Sequence, residues 1–150
     1  MDKISRVNPL CEILRVSPGR VHKVLIQKES GHHGIGEIIR LAKSARIPYS
    51  FVPKATLDRL SPGHQGVTAL LGAKEFASLE DILAASKRPF LVLLDEVEDP
   101  QNLGALVRSA AGAGADGILL PERRSAGLTD TVQTVSAGGL EHIPVARVPN

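Results

Sequence analysis

The sequence predicts an α/β protein built from two successive modules. Strand-like runs rich in β-branched and apolar residues alternate with amphipathic helix-like runs along the whole chain. The charge balance reverses near residue 74: residues 1–73 hold eleven Lys/Arg against five Asp/Glu, and residues 74–150 hold seven against eleven. In the second half the order strand, helix, strand, helix, strand argues for a parallel sheet. A basic front joined to an acidic back points to modules with different partners.

The elements follow in order. "NPLCEILR" opens with Asn8 as candidate N-cap and Pro9 at the first helical position. "VHKVLIQ" (21–27) reads as a strand, and "GEIIRLAKSAR" (36–46) as an amphipathic helix with Ile38, Ile39, Leu41 and Ala42 on one side. "PYSFV" is a short strand, "KATLDRL" a short helix and "GVTALLG" (66–72) a buried strand. Residues 74–88 form the expected linker, with Ser78 and Asp81 spaced as a capping box for "LEDILAAS". The back module, 89–150, then reads strand 90–94, helix 102–114, strand 117–121, helix about 128–137 and strand 143–148. Three strands and two helices make only half of a doubly wound sheet, so this module is expected to be incomplete.

Composition narrows the class. No apolar run approaches the roughly 18 residues that cross a bilayer, and "MDKISRVNPL" lacks the apolar core of a signal peptide. One cysteine, Cys11, cannot form an internal disulfide and fits a reducing, cytoplasmic setting. Aromatic content of 3% argues against base-stacking recognition of single strands. If the basic half binds RNA, shape and phosphate contacts through Arg6, Arg15, Arg20, Lys23 and Lys28 are the expected mode.

Several motifs carry or fail to carry chemistry. "GAGADG" (112–117) has the G-x-G-x-x-G spacing but follows a helix and opens a strand, the reverse of a dinucleotide loop; it reads as a helix stop and turn. "GHHGIG" (31–36) has two histidines with no further ligand at metal-site spacing and reads as a surface loop that could meet phosphates. In "SPGHQGV" (61–67), His64 and Gln65 can each donate and accept hydrogen bonds beside a permissive Gly66, as a binding turn or as a plain turn before a core strand. "DPQNLGALVRSA" (99–110) carries one charge, Arg108. With Asn102 as its cap, the helix would place Gly104, Arg108, Ala111, Gly112 and Ala115 on one face, leaving room for a ligand beside the guanidinium. Leu103, Leu106, Val107 and Ala110 would pack on the sheet.

These residues carry a resemblance. "LLDEVEDPQNLGALVRSAAGAGADGILLP", with its Asn-x-Gly-x-x-x-Arg core, resembles the first signature motif of the SpoU/TrmH-like RNA ribose 2′-O-methyltransferases of the SPOUT class. "RRSAGLTDTVQTVSAGGLEHIPVARV" resembles the segment that follows it there, and Arg123 and Arg124 at its start join the substrate-binding candidates with Gly104, His64 and Gln65. "NPLCEILR" and "HQGV" resemble that family's N-terminal substrate-binding domain, which is similar to ribosomal proteins. The resemblance implies methyl transfer from S-adenosylmethionine to a ribose 2′-hydroxyl, chiefly in ribosomal RNA, by a homodimer. It assigns Arg108 to activating that hydroxyl and Asn102 to organising the site. A guanidinium with a pKa above about 12 is a poor base, so orientation and charge stabilisation suit Arg108 better than proton abstraction.

The resemblance also implies what is missing. The family's second and third motifs, a glycine-rich loop with Glu and a Ser-Leu-Asn stretch, form the knot that binds the cofactor and much of the dimer interface. They do not occur in these 150 residues. The chain alone is therefore expected to bind S-adenosylmethionine poorly and to be inactive, and its cofactor-binding residues are unknown. A non-enzymatic RNA-binding module is the alternative reading.

Overall fold

The computed structural model describes residues 2–149 and divides between Ala73 and Lys74 into two compact units. In the first, β1 (Asp2–Ile4), β2 (Val21–Gln27), β3 (Tyr49–Val52) and β4 (Val67–Leu71) form a sheet in the order β1-β4-β2-β3. β2 and β3 are parallel, and β4 runs antiparallel to both β1 and β2. The three-residue β1 was not foreseen. The helices are α1 (Val7–Val16), α2 (Ile35–Ser44) and α3 (Lys54–Leu60).

Period-two alternation decides which strand residues face the helices. Val24 and Ile26 of β2, with Val67, Ala69 and Leu71 of β4, are buried in one core with Leu10, Ile13 and Leu14 of α1 and Ile38 and Ala42 of α2. α3 packs on β2 and β4 and buries Leu57 completely. α1 begins earlier than the Asn8 cap implies: its N-cap is Arg6, which offers no side-chain cap, and Asn8 lies inside the helix.

The second unit is a parallel sheet, β5 (Leu91–Leu93), β6 (Gly117–Pro121) and β7 (Val145–Val148), in that order. α5 (Pro100–Gly112) and α6 (Asp130–Val135) share a core with Ile118, Leu120 and Val145. The alternate residues Leu119 and Ala146 meet Ile82 of α4 (Leu79–Ala84). Residues 74–88, expected as a linker, belong to this unit. Ala77 bridges Ala146 and its N–H donates to Val145 O, and α4 is capped by Ser78 Oγ accepting from Asp81 N at 3.0 Å. The Lys74 ammonium stands 3.3 Å from the buried Glu141 carboxylate, on the 3-10 turn Gly139–Glu141.

"GAGADG" is a helix stop. Gly114 takes φ +76°, and Ala115 N–H reaches back to Ala110 O. A Cβ on Gly117 would lie 2.6 Å from Ile82 Cγ2, so the strand starts against α4 with no space for a side chain.

Candidate active site and RNA-facing surfaces

In the second unit, α5 starts beyond the carboxyl end of β5, the edge where open α/β sheets bind ligands. Its cap is Asp99, whose carboxylate accepts from Gln101 N at 3.0 Å, with Pro100 at the first helical position. Asn102 is not the cap; it lies exposed in the first turn. The Asp-Pro pair was the available signal, since Asp is a favoured N-cap and Pro a favoured first residue.

The small face of α5 is occupied. A Cβ on Gly104 would lie 2.7 Å from Val135 Cβ and 3.2 Å from Val132 O, so the glycine admits α6. A Cβ on Gly139 would sit 3.2 Å from Arg108 Cα and 3.5 Å from Ala111 Cβ, so the 3-10 turn closes the next stretch. Gly104 is thus a packing position, and the expected room for substrate on that face is filled by protein. Leu106, expected against the sheet, is instead 38% exposed. It lines an open groove of about 580 Å³ with Glu96, Val97, Glu98, Asp99, Asn102 and Ala105.

Arg108 is exposed and makes no hydrogen bond or ion pair among the described residues. Helical side chains lean toward the N-terminus, so from its position Arg108 faces the residues one turn earlier, Gly104 and Ala105. The loops after β5 and β6 are fastened to each other. Ala126 N–H donates to Val97 O at 2.9 Å, while within the second loop Ser125 Oγ donates back to Pro121 O at 2.6 Å. Arg124 Nη1 donates to Glu96 Oε1 at 2.6 Å. Both residues of that pair are left-handed, Glu96 at φ +53° and Arg124 at φ +56°, a conformation costing of order 1–3 kcal/mol for a non-glycine residue. Arg123 is exposed and unpaired among the described residues.

In the first unit, "HQG" is built into the fold. His64 Nδ1 accepts from Gly66 N at 3.0 Å, which leaves Nε2 to donate to Asp58 Oδ1 at 3.1 Å, and the ring is nearly inaccessible. Gln65 Oε1 accepts from Val7 N at 2.9 Å and so satisfies a first-turn amide of α1. His64 is thus withheld from a ligand, and Gln65 spends its acceptor oxygen on the fold. Gly66, at φ +76°, lies against Ser30 and His32.

The five predicted cations do not form one surface. Arg6 stands at the start of α1 and Lys28 follows β2, and both are exposed. Because β2 and β3 are parallel and in register, Lys28 and the exposed Lys54, first residue of α3, emerge at the same end of the sheet. Lys54 was not foreseen; its signal is only that it follows the strand "YSFV" directly. Arg15, Arg20 and Lys23 belong to the other end, near the finish of α1 and the start of β2. Arg15 is held by Glu12 at 2.9 Å and Glu37 at 3.2 Å, and Arg20 donates to Gly72 O.

A mixed-sheet module is followed by a parallel sheet whose first crossover helix carries an arginine unpaired among the described residues, an architecture consistent with the SPOUT class. The comparisons agree. Residues 7–77 match the model described as RNA 2′-O ribose methyltransferase substrate binding, and residues 89–150 match that of the SpoU rRNA Methylase family. A Bacillus subtilis protein, YacO, assigned to the TrmH family of tRNA/rRNA methyltransferases, is 41% identical over 99% of this chain and 61% of its own length. A Staphylococcus aureus protein of the same assignment is 42% identical over 87% of this chain and 54% of its own. The SpoU methyltransferase AviRb of Streptomyces viridochromogenes superposes with a TM-score of 0.75 at 25% identity, covering 99% of this chain and 54% of that one. An rRNA methyltransferase of Sinorhizobium meliloti shares the fold, with a TM-score of 0.75 at 20% identity over 97% of this chain and 53% of that one. The chain belongs to the SpoU/TrmH-like family of S-adenosylmethionine-dependent RNA methyltransferases. It spans about three fifths of the length of YacO and about half of the solved chains it matches.

Proposed function

We propose that the chain supplies the RNA-binding module and the ribose-handling half of an rRNA ribose 2′-O-methyltransferase that acts as a cytoplasmic homodimer. The observation that carries this reading is Arg108: one exposed guanidinium without a partner among the described residues, on a stretch of helix whose backbone packs against Gly139. An always-charged planar donor suits a ribose oxygen and its flanking phosphate, orienting the hydroxyl and stabilising charge that develops on it. Asn102, six residues or about 1.7 turns closer to the sheet edge, would hydrogen-bond the same ribose. Arg6, Lys28 and Lys54 would take the RNA backbone at one end of the first unit, and Arg123 at the second.

S-adenosylmethionine does not fit the described residues of the sheet edge. The groove beside α5 is open, and its polar rim is three carboxylates with Asn102, which could face a sulfonium but not enclose an adenosine. On this reading the 150 residues alone bind the donor poorly and do not methylate. Calorimetric titration with S-adenosylmethionine checks this, and micromolar binding would overturn it.

The decisive experiment is transfer of labelled methyl groups by the complete protein to rRNA and tRNA transcripts. Arg108→Ala is expected to abolish transfer while RNA affinity holds. Loss of both would make Arg108 chiefly a binding residue. RNA binding without any transfer by the complete protein would favour the non-enzymatic module, for which the basic first unit is the supporting feature.

A further inference from the structure

Glu96 and Arg124 are left-handed, non-glycine residues on the loops that follow β5 and β6, and each neutralises the other. Their pairing is not what joins the loops. The backbone bond from Ala126 to Val97 already does that, with Ala126 buried in the core and Val97 packed against it. The pair itself is in water, with side chains 70% exposed for Arg124 and 58% for Glu96. An ion pair so exposed is weak and exchangeable. A guanidinium that leaves a carboxylate can accept a phosphate with the same forked geometry. Arg108 and Arg123 have no acceptor among the described residues, whereas Arg124 is neutralised by a carboxylate of the same unit. That carboxylate also lines the groove that holds Asn102.

We propose that Glu96 is a displaceable counter-charge for Arg124: it occupies the guanidinium in the RNA-free chain, and an RNA phosphate takes its place on binding. Glu96 thereby sets the threshold at which this edge engages RNA, and the left-handed backbone at both residues aims the two side chains at each other across the loops. The inference rests on the RNA reading given above. Displacement costs little, because the released carboxylate is already largely hydrated.

Anisotropy titration of a labelled mixed-sequence RNA hairpin with the 150-residue chain, over a series of salt concentrations, tests it. Glu96→Gln is expected to bind about threefold more tightly at low salt. Its salt dependence should steepen by about one released counterion. Arg124→Gln should weaken binding and remove the gain when combined with Glu96→Gln. Glu98→Gln deletes a carboxylate from the same loop that has no ion-pair partner among the described residues, and it should give a smaller gain. Should Gln disturb the loop in a thermal melt, Glu96→Gly, whose backbone suits a left-handed turn, reads the same effect. An equal gain from Glu98→Gln, or a gain that survives in the Arg124→Gln background, would reduce the effect to net charge and overturn the proposal. Binding indifferent to Glu96→Gln removes this proposal alone. An unaltered chain that binds no hairpin removes the RNA reading and this inference together.

Discussion

At the scale of single residues, Gly104 and Arg108 separate packing from chemistry. The pattern of small residues around one arginine was legible in the sequence, but its occupant was not. Helical periodicity reports that something approaches a face closely and cannot say whether that is a ligand or a neighbouring helix. The structure puts Val135 and Gly139 there. Gly104→Ala should therefore cost about 1–3 kcal/mol of stability by overpacking, read as a lowered urea midpoint. Arg108→Ala, which removes an exposed side chain with no partner among the described residues, should stay within about 0.5 kcal/mol of the parent. A large loss from Arg108→Ala would give the arginine a structural role and weaken the site. His64 and Gln65 teach the same lesson. Their hydrogen-bonding capacity was visible, but both ring nitrogens of His64 and the amide oxygen of Gln65 are spent inside the fold, on Gly66, Asp58 and Val7.

Helices and strands were read best where their signals are local. β2 and β6 fall where alternation and apolar runs placed them, and α4 begins at the Ser78 cap its spacing announced. β1 escaped because three residues carry no periodicity. It exists through a distant partner, β4, beside the buried Ser5–Thr68 hydrogen bond at 3.0 Å. Caps give a direct test of which residue starts α5. Asp99→Ala should cost about 1 kcal/mol, whereas Asn102→Ala should leave stability unchanged and impair only methyl transfer by the complete protein. The reverse pattern in thermal melts would return the cap to Asn102. Between α1 and α2, Glu37 is held down to about 2, first by its hydrogen bonds from Arg40 and then by Arg15. Its carboxyl has a lower pKa folded than unfolded, so its contribution is full above about pH 4.5 and fades as pH falls toward 2. Acid titrations of stability should therefore be flatter in Glu37→Gln than in the parent over that window, and identical curves would mean that the clasp does not persist in solution.

For the whole molecule, the surplus of six positive charges in residues 1–73 was legible from composition, but composition could not say where those charges collect. Strand direction decides it. Parallel β2 and β3 bring Lys28 and Lys54 to one end, where α1 begins with Arg6, while Arg15, Arg20 and Lys23 belong to the other and two of them are engaged with protein acceptors. Salt dependence counts these contacts, because each phosphate neutralised releases counterions, with a slope of about 0.7 per contact on single strands and 0.9 on duplexes. Three cations at one end should contribute about two to the slope of log affinity against log salt for an RNA hairpin, and five acting together would contribute nearer four. Neutralising Arg6, Lys28 and Lys54 to Gln together should remove that contribution and most of the affinity of the first unit. Neutralising Arg15, Arg20 and Lys23 lowers net charge by the same amount and should leave the slope nearly unchanged. If the two triple variants lose slope equally, RNA samples the diffuse field of a basic unit, and the end where Arg6, Lys28 and Lys54 emerge has no privileged role.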